Sequence, residues 1–70
     1  MKISARNSLK GTVKSIQIGA VNAEVVIELP GGDQITSIVT KESVCSLNLT
    51  EGCSAYAIIK ASNVMLGTDD

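Results

Sequence analysis

Three short polar segments carry the groups in this chain that could do chemistry. Ser4-Ala5-Arg6-Asn7 holds the only arginine. Lys60-Ala61-Ser62-Asn63 follows directly on a strongly apolar stretch. Thr40 and Ser43 stand one turn apart, just before Val44. Together these residues offer hydroxyls, amides, a guanidinium and an ammonium, and none of them is acidic. A donor-rich, acid-free set suits an anion that only accepts hydrogen bonds. Backbone N–H groups at a helix start would add a local positive end. Each segment also has an ordinary reading. Ser4-Ala5-Arg6-Asn7 can be an exposed strand end, Lys60 a solvated strand end, and Thr40 only a cap.

Other chemistries lack their residues. The chain has no His, so no Ser-His-Asp set can be built and the usual proton carrier near neutral pH is missing. Glu24 and Glu28 share one strand face, but that face reads as solvated. Gly31-Gly32 is a turn with no helix behind it, which is not a phosphate loop. Two Cys without His are too few for a structural zinc site. We therefore expect no enzyme, no catalytic cofactor and no metal ligated by side chains. A formal net charge of −1 and a single Tyr, with no Phe or Trp, count against a nucleic-acid partner. Duplex binders need a basic footprint and single-strand binders need stacking aromatics. No segment approaches the ~20 apolar residues of a membrane helix.

The elements that must position these segments read as strands. Ala23, Val25, Ile27 and Leu29 alternate with Glu24, Val26 and Glu28, the pattern of a half-buried antiparallel strand. Pro30-Gly31-Gly32-Asp33 reads as a turn, and Gln34 to Thr40 as the return strand. Ile35 and Ile38 differ in parity there, which predicts a bulge or bend near Thr36-Ser37. The first strand, Leu9 to Ile18, breaks parity too: Leu9, Gly11 and Val13 against Ile16 and Ile18. Thr40 to Leu47 is the only plausible helix, capped by Thr40, with Val44 and Leu47 on one face. In the last strand, Cys53 to Lys60, Ala55, Ala57 and Ile59 line one face, and Tyr56 and Ile58 the other. Strands that switch faces midway suit a small, strongly bent barrel. The expected architecture is all-β: a small OB-like Greek-key barrel of about five strands with one short helix. An SH3-like barrel is the alternative. Residues 1–70 form one domain, with 67–70 a solvated tail.

A 70-residue chain without large aromatics buries little surface by itself. Small domains compensate with disulfides, a metal or oligomerisation. Nothing in the first fifteen residues resembles a signal peptide, so Cys45 and Cys53 are expected to be reduced and buried. Oligomerisation remains, and both apolar faces of the last strand want cover.

The order of motifs then identifies a resemblance. Ser-Ala-Arg-Asn near the start is followed by Leu9-Lys10-Gly11-Thr12-Val13, Gly19-Ala20-Val21-Asn22-Ala23-Glu24-Val25 and Gly31-Gly32. After these come Ile38-Val39-Thr40-Lys41-Glu42-Ser43, Leu47-Asn48-Leu49 with Gly52, and Lys60-Ala61-Ser62-Asn63-Val64-Met65. Over residues 1–66 the chain strongly resembles the molbindins, the small Mop-domain proteins also called molybdenum-pterin-binding proteins. The resemblance implies an OB-like barrel that binds molybdate or tungstate in the cytoplasm, for storage or homeostasis and not for catalysis. It implies a homo-oligomer, a hexamer built as a trimer of dimers, with ligands between subunits and with neither nucleic-acid nor membrane partners. The main site it implies takes Ser4, Ala5 and Arg6 from one subunit, and Lys60, Ala61 and Ser62 with Thr40 and Ser43 from another. A second site near the three-fold axis falls around Gly19, Ala20, Val21 and Asn22. Two readings of other classes stay open: a nucleic-acid-binding OB module and a purely structural assembly module.

Overall fold

The computed structural model describes residues 1–69. Its elements, in order, are β1 (Asn7–Ile18), β2 (Asn22–Glu28), β3 (Gln34–Thr40), α1 (Lys41–Ser46) and β4 (Ser54–Ile59), followed by a single 3₁₀ turn, Ala61–Asn63. All pairings are antiparallel, and the sheet order is β3-β2-β1-β4. Three strands linked in sequence, with the fourth returning beside the first, make a Greek key.

The sheet has four strands where about five were expected, because β1 serves twice. Its first half, Asn7 to Thr12, pairs with β4, and its second half, Thr12 to Ile18, pairs with β2. The two halves meet at a bulge between Val13 and Ser15, which accounts for the parity break read in the sequence. Gly11 lies beside this corner. A Cβ there would stand 2.5 Å from Ile27 Cγ2 and 2.6 Å from the Glu28 carbonyl oxygen, so only glycine lets β2 approach this closely. No bulge forms near Thr36-Ser37: the β2–β3 register is unbroken. The parity conflict is resolved by orientation instead. Ile35, Ser37 and Val39 turn inward, while Ile38 points out, 63 % exposed.

The β2–β3 hairpin closes through Gly32 N–H donating to Leu29 O (2.9 Å) and Leu29 N–H donating to Asp33 O (2.7 Å). Gly32 takes φ +95°, which a residue with a Cβ adopts only at a cost. Thr40 caps α1 as expected: its Oγ1 accepts from Ser43 N–H at 3.0 Å. The helix buries Val44 alone. Leu47, expected on the same inward face, is 65 % exposed because the helix ends at Ser46 with Leu47 as its C-cap.

The core is thin. Val13, Ala23, Val25, Ile27, Val44 and Ala57 are its buried residues, and none is larger than Ile. The accessible surface is 5511 Å², against about 4,200 Å² for a typical monomer of this mass. Large apolar side chains contribute to it. Tyr56 and Ile58 on the outer face of β4 are about half exposed. A groove of about 320 Å³ between β3 and β4 is lined by Val39, Leu47, Leu49, Tyr56 and Ile58, among others. Met65 and Leu66 are almost wholly exposed. Cys45 is exposed and Cys53 half-buried, with no disulfide between them. The expectation that both are buried fails because Cys45 lies on the outer side of a helix that buries only Val44. Gly67 to Asp69 is exposed and irregular, and Asp70 of the expected tail lies outside the described residues.

Candidate functional site

The register of β1 with β4 decides where the donors fall. Asn7 stands opposite Ile59 at the end of that ladder. The segments just beyond it, Ser4-Ala5-Arg6 on one side and Lys60-Ala61-Ser62 on the other, are therefore neighbours. They line one cleft, together with Ile58 and Asn63. Lys60 is still extended (φ −61°, ψ 132°), and the 3₁₀ turn then reverses the chain, with Asn63 N–H donating to Lys60 O at 2.8 Å. The turn brings Ser62 and Asn63 back to the side where Arg6 lies. Ala5 and Ala61 offer only main-chain groups, and their small side chains leave room. Among the described residues, Arg6 and Lys60 are the two cations of the cleft, and no carboxylate lines it.

The resemblance divided these residues between two subunits. Here one chain brings Ser4, Ala5, Arg6, Lys60, Ala61 and Ser62 together by itself, because β4 returns antiparallel beside the start of β1. Thr40 and Ser43 do not join them. Their hydroxyls bond to each other at 2.7 Å at the opposite end of the sheet, where Thr40 pairs with Asn22 and Ile18 pairs with Ala23. The twelve residues of β1 lie between the two donor sets. The Gly19 to Asn22 turn is next to the Thr40 cap, not the cleft. Gly19 N–H donates to Asn22 O (2.8 Å), and Lys41 N–H, in the first residue of α1, donates to Val21 O (2.8 Å). Val21 is 70 % exposed.

The cleft is a dish and not a fitted cavity. Its volume is about 670 Å³, far more than a tetrahedral oxyanion fills. Asn63 and Ile58 belong to its wall but were not singled out as site residues. Asn63 could have been, since it ends the Lys60-Ala61-Ser62-Asn63 segment; Ile58 carried no signal beyond its outward parity. Glu28, on the solvated face, makes an exposed 3.5 Å ion pair with Lys14, worth little in water. Among the described residues no three His, Cys, Asp or Glu group as metal ligands, and no helix is long and apolar enough to cross a membrane.

Comparison with known proteins adds four findings. The family model of the TOBE domain matches residues 3–66. A probable molybdenum-pterin-binding protein of Haemophilus influenzae is 55 % identical over 69 residues, covering 99 % of this chain and all of that protein. Among solved structures, MopII from Clostridium pasteurianum superposes with a TM-score of 0.90 at 46 % identity, over 96 % of this chain and all of that one. The cytoplasmic molybdate-binding protein ModG, with molybdate bound, superposes at 0.91 with 63 % identity, over 96 % of this chain and 48 % of that one.

Proposed function

The chain belongs to the TOBE-domain family, as a small Mop-domain protein, and on that premise we propose that it binds molybdate or tungstate for storage or homeostasis in the cytoplasm. The observation that carries this reading is the cleft in which Arg6 and Lys60 meet Ser4, Ser62 and Asn63 with no carboxylate among them. Molybdate at neutral pH is a dianion without a proton, so every contact it accepts must come from a donor. The two cations match its charge, and the hydroxyls, the Asn63 amide and main-chain N–H groups match its oxygens. Arg6 contributes a planar fork of donors that a lysine cannot copy.

The openness of the cleft supports a site completed by a second chain. In our reading one subunit supplies Ser4, Ala5, Arg6, Lys60, Ala61 and Ser62, and another brings its Thr40 and Ser43 cap to close the dish. The second site, at Gly19, Ala20, Val21 and Asn22, lies beside that same cap. Assembly also covers the outer faces of Tyr56 and Ile58 and the groove between β3 and β4. A homo-oligomer, a hexamer as a trimer of dimers, is the assembly we propose, with neither nucleic acid nor membrane as partner. The binder is not an enzyme in this reading.

A thermal scan in four anions tests it. A site saturated at about a hundred times its dissociation constant adds roughly 2.7 kcal/mol of stability, multiplied over equivalent sites. Molybdate and tungstate should raise the unfolding temperature in a concentration-dependent way, far more than equimolar sulfate or phosphate. Equal small shifts in all four would mean general ionic stabilisation and would sink the reading.

A further inference from the structure

Arg6 and Lys60 face a mechanical difficulty. Each lies one residue beyond the last paired residues of the β1–β4 ladder, Asn7 and Ile59. Strand ends fray, and with no carboxylate among the described residues of the cleft the two like charges push their segments apart whenever no anion lies between them. One side chain bridges the two strands at this point. Asn7 Nδ2 donates to the Ile59 carbonyl oxygen at 3.3 Å, across 52 residues of sequence, in a half-buried position. The amide orientation is unambiguous in chemical terms, since a carbonyl can only accept.

We infer that Asn7 is a positioning residue for the anion site: its amide holds the end of β1 to the end of β4 and so fixes the spacing of Arg6 and Lys60. This role rests on the molybdate reading above. Asn7 does not line the cleft, so it acts through the two cations and not on the ligand. The bond also explains why an amide is suited to this place. A carboxylate could not donate to the carbonyl and would offset one of the two positive charges beside it. An aliphatic residue would keep the strand but leave its end untied.

The test is a double-substitution cycle read by calorimetric titration of sodium molybdate into the assembled protein. Asn7→Ala should weaken binding by about threefold to tenfold, the range for losing one hydrogen bond that holds a site. In a Lys60→Gln background, where no second cation needs holding, the same change should alter affinity by less than about twofold, a coupling that independent sites would not show. Equal losses in both backgrounds would mean a general loosening of the sheet end and would overturn the inference, as would no loss in the native background. Should the alanine chain fail to assemble, Asn7→Val, which suits a strand but has no donor for the Ile59 carbonyl, is read in the same cycle against the same criteria. Absence of binding by the unsubstituted chain would instead refute the molybdate reading, and this role with it.

Discussion

Gly11→Ala should destabilise the protein more than its single added methyl suggests. The new Cβ would stand 2.5 Å from Ile27 Cγ2 and 2.6 Å from Glu28 O, with Glu28 C at 3.2 Å. Carbon atoms pack best at about 3.5–4.0 Å, so the first contact is short by roughly 1 Å. Ile27 is buried, 5 % exposed, and its Cγ2 is fixed on a β-branched carbon that cannot swing aside without leaving its preferred rotamer. The Glu28 oxygen is backbone, so it moves only if the strand moves. β1 and β2 must therefore separate where Thr12 faces Glu28 and Val13 faces Ile27. Overpacking costs about 1–3 kcal/mol, and a weakened ladder bond about 1 kcal/mol more. Gly31→Ala is the matched control. It has nothing within 4 Å of its Cβ, and a compatible Gly→Ala change stabilises by about 0.4–1 kcal/mol. Urea unfolding of both variants at one protein concentration, with molybdate absent, measures the difference. With a urea slope of about 1 kcal/mol/M for so small a chain, the two midpoints should differ by about 2 M or more. A gap under about 0.5 M would refute the close approach of β2 to Gly11.

Four further outcomes follow from the site and its assembly. Arg6→Lys and Lys60→Ala should each weaken molybdate binding at least about tenfold with the fold retained; unchanged calorimetric affinity in both would place the site elsewhere. Thr40→Ala removes the α1 cap and should lower stability by about 1 kcal/mol as well as affinity. Ser43→Ala leaves the Thr40 cap bond to the Ser43 N–H intact, so it should lower affinity while the unfolding temperature without ligand holds, and an unchanged molybdate titration would remove Ser43 from the site. Sedimentation should find no compact 7.3 kDa species at working concentrations, and a stable folded monomer that ignores molybdate would refute assembly through β4 and the groove.

The fold was legible where one periodicity dominated. Ala23, Val25 and Ile27 alternate cleanly and are all buried. The two faces of β4 were readable for the same reason. The β1 bulge was readable because the break in parity there comes with a real change of partner. The same signal misled at Ile38, because a sequence shows parity but not whether an outward apolar residue has something to meet. Cys45 misled likewise: residue type favours burial, yet a six-residue helix has one buried side and Val44 fills it. For the candidate site, the donor types were legible as segments. Their grouping was not, since it depends on which residue of β4 faces Asn7. That register joins positions 52 apart, and no local pattern reports it.

The same register has a kinetic consequence. The β1–β2 and β2–β3 hairpins close across short loops, but β4 must find β1 from the far end of the chain. Non-local pairing of this kind is slow, because the entropy of the long loop is lost before its contacts form. The expected order is that the cleft forms after the two hairpins. In hydrogen-exchange terms, amides of the Asn7–Thr12 ladder should exchange faster than those paired between β2 and β3. An anion seated between Arg6 and Lys60 would slow the opening of that ladder selectively, acting as a latch on the chain's two ends.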